Sequence, residues 1–264
     1  MRLSSFVPLL VVASVSVVPH ARAQTDDYES HIARGDSLID ALNPSEALEA
    51  FRAAYFARQT YDAMWKFAWA QNEVAKQLED NEKKLRDSLF NVAYLYADAA
   101  VRADSLQAEG HFQLAQALGR LSRTKGGKER VRFARRIYDA TARAIALDST
   151  HDGAYHVLGA WHAEIKRLSG LTKFFAKTFL GAGFMDRASW DSAVVNLERS
   201  VALEPEYLYH HLELAEVYLD LDRFADAARE LREVVRRPPT SDVLDPRYQD
   251  EARRLLDELA TRTP

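Results

Sequence analysis

The chain has 264 residues, 47% of them hydrophobic and 28% charged, with 10 glycines and 8 prolines. This is globular composition, too poor in turn formers for a β-rich fold, where turns recur about every 10 residues. The net charge of −4 argues against a nucleic-acid partner. The lack of cysteine excludes a disulfide framework, a thiol nucleophile and cysteine-ligated zinc or iron–sulfur centres.

The N-terminus reads as an address. Arg2 precedes an apolar run from Phe6 to Val18, and Ala21-Arg22-Ala23 supplies a small-x-small cleavage pattern before Gln24. We expect a cleavable signal peptide over residues 1–23 and an exported chain, periplasmic or secreted, over residues 24–264. The run is shorter than the ~20 residues that span a bilayer. An uncleaved anchor is the alternative; lipoprotein anchoring is excluded, because no cysteine follows the run.

The rest of the chain carries a repeat. The tetratricopeptide pattern asks for a large residue, then leucine, a small residue and tyrosine, then alanine and a large residue on a second helix, and a late proline. His211, Leu214, Ala215 and Tyr218, followed by Ala227, Leu231, Val234 and Pro239, satisfy it over residues 208–241. The same template fits near residues 28–61 (His31, Gly35, Leu38, Ala47, Phe51), 62–107 (Trp65, Trp69, Ala93, Ala97), 108–151 (His111, Leu114, Ala115, Leu118) and 152–207 (Tyr155, Leu158, Gly159, His162, Ala193, Leu197). Residues 82–103 read as one long amphipathic helix, and residues 244–260 as a cap over the last repeat. The expected fold is all-α: an α-solenoid of about five tetratricopeptide-like helix pairs with a C-terminal capping helix.

Two insertions depart from a plain array. Residues 120–136 include Arg120, Arg123, Lys125, Lys128, Arg130 and Arg132, with Glu129 the only acid and Gly126-Gly127 breaking the helix. This is either a solvated connector or a surface for an anion, which the amides at a helix start favour. It is no phosphate loop, because the first glycine and the Ser/Thr after lysine are missing. Residues 166–185 predict a short basic amphipathic helix ended by Gly181 and Gly183. Lys166, Lys173 and Lys177 share one side, and Leu168, Leu171, Phe175 and Phe179 the other. The aromatic side could pack as core, close over an apolar cavity or lie on an anionic membrane. The candidate apolar ligand or partner surface is therefore Trp161, Leu171, Phe174, Phe175, Phe179 and Phe184.

His156 and His162 lie ~120° apart on a helix, and no HExxH motif occurs. His31, His111, His162 and His211 fall at inward repeat positions, where packing is the expected role. We therefore expect no metal, no cofactor and no catalytic group.

Tyr155-His156-Val157-Leu158-Gly159-Ala160-Trp161-His162, then Leu168-Ser169-Gly170-Leu171, Phe175-Ala176-Lys177-Thr178-Phe179-Leu180-Gly181, Ala193 and Val201-Ala202-Leu203-Glu204-Pro205 follow in a distinctive order. With Asp245-Pro246-Arg247-Tyr248 and Glu251-Ala252-Arg253-Arg254-Leu255-Leu256, it resembles the regulator of microtubule dynamics family over roughly residues 108–260. The resemblance implies an all-helical binding domain. Some eukaryotic members are associated with microtubules, and at least one is similar to a phospholipid-holding tether at organelle contacts. An exported chain meets no tubulin. The expected function is therefore a non-enzymatic scaffold of the cell envelope that binds a protein or peptide on its concave surface. The alternative is a carrier of a lipid or other amphiphile, anionic lipid included, through the aromatic insertion and the basic loop.

Overall fold

Small side chains at helix crossings set the architecture. Ala47, Ala54, Ala68, Ala97, Ala115 and Ala215 are fully buried, and each lets a neighbouring backbone come close. Gly159 serves the same end: a Cβ there would sit 2.6 Å from Leu197 Cγ and 3.0 Å from the Ala193 carbonyl oxygen.

The computed structural model describes residues 20–262, with side chains described from Asp27. Most of the expected signal peptide, including its whole apolar run, lies outside the described residues. The helices are α1 (His20–Asp40), α2 (Pro44–Ala57), α3 (Tyr61–Ala75), α4 (Lys83–Ala103), α5 (Ala108–Ser122), α6 (Gly127–Leu147), α7 (Asp152–Arg167), α8 (Gly170–Leu180), α9 (Trp190–Leu203), α10 (Leu208–Asp220), α11 (Phe224–Arg236) and α12 (Asp245–Arg262). No strand occurs among the described residues, and no helix there is long and apolar enough to cross a membrane.

The chain is an all-α helical-repeat solenoid. Helices pack as α1 with α2, α3 with α4, α5 with α6, α7 with α9, and α10 with α11, while α12 covers α11 and touches α10. The fourth pair skips α8, which steps out of the array and packs on α6 and the 3-10 turn Gly183–Arg187.

Local chemistry sets the helix ends. The Asn43, Thr60, Ser169 and Ser189 side chains accept the first free amides of α2, α3, α8 and α9. The turns after α4 and α6 start with Asp104 and Asp148, whose carboxylates accept from the Leu106 and Thr150 amides at 2.9 and 2.8 Å. His111 and His211 sit at equivalent places and reach back to the Ser105 and Pro205 carbonyls at 3.1 and 2.9 Å.

The connection after α3 meets the segment that leads into α12. Lys76, just past α3, lies between Glu73 at 2.6 Å and Asp242 at 2.8 Å, with Lys76 and Asp242 almost fully buried. Tyr207 donates to the other Asp242 oxygen at 2.5 Å, and Arg247 pairs with Glu79. Burial alone would raise the Asp242 pKa, but Lys76 and the Tyr207 hydroxyl outweigh it and hold the carboxyl below its usual range.

Candidate functional site

Where α8 leaves the array it roofs a cavity of about 590 Å³ between α5, α6 and α7. The walls are mainly apolar: Val131 and Ile137 of α6, Trp161 and Ile165 of α7, and Ala176 and Leu180 of α8. The Trp161 indole donates to the Ala134 carbonyl at 2.8 Å, which fixes the ring and ties α7 to α6. Ser169 Oγ starts α8 by accepting from the Thr172 amide at 3.1 Å. Gly181, with φ of 67°, ends it, and the Ala182 amide returns to the Ala176 carbonyl at 3.2 Å. A left-handed residue at that point is the usual reason for glycine after a helix.

Polar groups gather on the α5 and α10 sides. Arg123 and Arg130 line the cavity and are exposed, so they form its rim; Arg120 is half-buried and sits deeper. The Arg120 Nε is buried without a hydrogen-bond partner, while its guanidinium lies 5.8 Å from the Phe90 ring centroid. His156 and Tyr209 complete this wall.

Behind it runs a buried chain of bonds. His210 Nε2 lies 2.8 Å from Asp152 Oδ2, and His210 Nδ1 lies 3.0 Å from His156 Nδ1. With Nε2–H of His210 donating to the carboxylate, its Nδ1 accepts from Nδ1–H of His156. The His156 ring, which lines the cavity, then carries its lone pair on Nε2. Burial, with His210 beside it, holds the His156 pKa well below the usual histidine value, and burial lowers His210 despite Asp152. Both rings are therefore neutral at pH 7.

Next to the cavity, Arg167 gathers Asp220 at 2.8 Å, Glu164 at 3.1 Å, Glu213 at 3.6 Å and Glu216 at 3.9 Å. Burial and then the nearby Glu213 push Glu216 up to about 7, and burial also raises Glu213.

The structure divides the residues singled out in the sequence. Trp161 belongs to the core, with 5% of its surface accessible, and meets a ligand only from inside the cavity. Its indole N–H finds a carbonyl and its ring joins a core cluster. Phe184 is half-buried against Trp161, and the Arg135 guanidinium covers it at 4.5 Å. Leu171, Phe174, Phe175 and Phe179 all face outward, and of these four Phe175 alone also lines the cavity. Among the basic candidates, Arg120, Arg123 and Arg130 reach the cavity. Lys128 and Arg132 line a separate groove with Leu180 and Gly181, and Lys125 lines neither. Sequence reasoning missed Glu164, His156 and Tyr209 as cavity residues. Tyr209 comes from α10, a full repeat away, and no local pattern announces it. Among the described residues no group of three or more His, Asp or Glu is placed to hold a metal ion.

The sequence matches the family described as Regulator of microtubule dynamics protein 1-3 over residues 31–260. The chain belongs to that family. No curated protein matches it. Among solved structures it is similar to a thermophilic TPR protein from Thermus thermophilus, with TM-score 0.62 and 19% identity, covering 85% of this chain and 98% of that one. It is also similar to PilF of Pseudomonas aeruginosa, with TM-score 0.52 and 16% identity, covering 91% of each chain. At these identities the likeness is one of fold: this chain shares the tetratricopeptide helix-pair architecture.

Proposed function

We propose that this chain is a binding protein of the cell envelope without catalytic activity. Its partner is a protein or peptide that places an apolar group in the cavity under α8 and acidic groups against Arg120, Arg123 and Arg130. The observation that carries this is one compartment of about 590 Å³ with apolar walls and arginines at its rim. Sites for inserted ligands run about 300–1,000 Å³ and pair apolar walls with a few placed polar groups. Helical repeats supply such concave surfaces without catalytic groups. The buried His156–His210–Asp152 chain serves packing and orientation on this view.

A second reading has one observation in its favour. The cavity is roofed by Phe175, Ala176 and Leu180 rather than left as an open groove. That shape also suits an amphiphile with an acidic head.

The probe is anilinonaphthalene sulfonate, an aromatic anion. We expect one saturable site, weakened in Ala160→Phe, which puts a phenyl ring into the cavity, and weakened about tenfold in Arg123→Glu. Saturation unchanged by both variants would contradict the proposal. Native mass spectrometry of the purified chain then separates a bound peptide from a bound amphiphile. Recovery of a chain starting at Gln24 from the periplasm or the medium tests export.

A further inference from the structure

The outer side of α8 bears side chains that neither the core nor most of the cavity uses. Leu171, Phe174 and Phe179 are 67%, 58% and 69% exposed, and Phe175 is 51% exposed. Phe174 lies edge-on to Phe175 with ring centroids 5.8 Å apart, and Phe175 stacks on Phe179 at the same spacing. The four form one convex apolar ridge. Contiguous exposed apolar surface of this kind marks an interaction site.

Beside the ridge stands the basic start of α6. A groove lined by Lys128, Arg132, Arg135, Leu180 and Gly181 joins that start to the end of α8. Among the described residues Lys128 and Arg130 make no ion pair, and Arg132 makes only a 3.3 Å contact with Glu129. On α8 itself Lys177 pairs with Asp186, and Lys173 donates to the Lys166 carbonyl at 3.2 Å. Glu129 and Asp186 are thus the acids beside this face, and each already has a basic partner. The face keeps an excess of positive charge.

We propose that this face docks on an anionic lipid bilayer. The ridge enters the boundary between head groups and acyl chains, while Lys128, Arg130 and Arg132 meet lipid phosphates. Charge complementarity selects this occupant: Lys128 and Arg130, without an ion pair among the described residues, stand with Arg132 beside an exposed apolar ridge, which matches lipid phosphates above acyl chains. An aromatic face beside a basic one is also the composition of helices that lie in a membrane interface. Phe175 belongs to both ridge and cavity wall, so a docked molecule holds the cavity rim at the membrane. The docking face shares Phe175 and Arg130 with the cavity rim but does not depend on what fills the cavity.

The chain has no cysteine, so single-site labelling is clean. We place an NBD fluorophore at Phe174→Cys and, as a control, at Leu85→Cys, an exposed leucine of α4. Vesicles are phosphatidylcholine alone or with one-third phosphatidylglycerol. The label at 174 should brighten and shift blue with anionic vesicles only, and the label at 85 should not change. In co-sedimentation, Phe174→Ser with Phe179→Ser should weaken binding at least tenfold, since burying a phenylalanine is worth roughly that factor or more. Lys128→Glu with Arg130→Glu should weaken binding to anionic vesicles alone, and added salt should do the same to the wild type.

An unshifted label at 174 overturns the proposal. So does a serine double variant that sediments like the wild type, because binding would then lie elsewhere, the N-terminal apolar segment included. A wild-type dimer that the serine variant abolishes makes the ridge a contact between copies, and a large drop in melting temperature makes it packing. Either result also overturns docking. Anilinonaphthalene sulfonate binding at the cavity should survive in the serine variant, which keeps this test apart from that of the ligand site.

Discussion

The last repeat and the inserted helix draw on the same kinds of residue and treat them oppositely. In α10 and α11, Leu208, Leu214, Tyr218, Leu231 and Val234 are almost completely buried, because α9 and α12 close over them. In α8 only Ala176 is buried, and three phenylalanines and a leucine face outward. Helical spacing says which side chains share a face, not whether another helix stands opposite. In the repeat, a neighbour is guaranteed by the next pair. At α8 the chain leaves the array, and a neighbour is present on one side only.

The sharpest way to break this contrast is at the long-range contact between Lys76 and Asp242. Asp242→Ala removes one of the two carboxylates that hold buried Lys76 and leaves the Tyr207 hydroxyl without its acceptor, and removing one partner of a buried pair costs about 3–5 kcal/mol. Urea unfolding should show that loss, and a loss below about 1 kcal/mol, the usual worth of an exposed pair, would mean that Lys76 and Asp242 do not meet in a buried site. Leu231→Ala should follow, at about 2–5 kcal/mol for a fully buried leucine.

A pH effect of smaller size belongs to the carboxylate cluster at Arg167. Glu216 has its pKa raised from 4.5 to about 7, so it favours the folded state when protonated. That contribution is complete below about pH 4.5 and is lost as pH rises through 7. Glu216→Gln should therefore raise the melting temperature relative to wild type at pH 8 and leave it nearly unchanged at pH 4. The smallest effect is expected at the ridge: Phe179→Ser should stay within about 0.5 kcal/mol of wild type. A loss comparable to that of Leu231→Ala would erase the distinction between the two regions.

The fold class was legible because crossing helices need small residues at set offsets, and Ala215 and Ala227 hold them in the last repeat at full burial. The histidines were legible for a related reason. His111 and His211 lie at one repeat position, and each bonds to the carbonyl of the turn before it. The contact between Lys76 and Asp242 was not legible. It joins residues far apart in the chain, and nothing in either neighbourhood marks the other. Nor was the cavity, whose walls come from α5, α6, α7, α8 and Tyr209 of α10. Trp161 read as part of an apolar ligand or partner surface; in the structure it lines the cavity from within the core, with its indole held by the Ala134 carbonyl. The aromatic stripe of α8 read as core, roof or membrane face; in the structure Phe175 contributes to the roof while the rest of the ridge points outward.

The most direct test of a ligand cavity under α8 is a paired titration with anilinonaphthalene sulfonate. It compares the wild type, Ala160→Phe and the Phe174→Ser, Phe179→Ser double variant. The cavity account predicts one saturable site in the wild type and in the serine variant, and clearly weaker binding in Ala160→Phe. Saturable binding that is unchanged in Ala160→Phe but disappears with the two phenylalanines would place the apolar site on the ridge and contradict it.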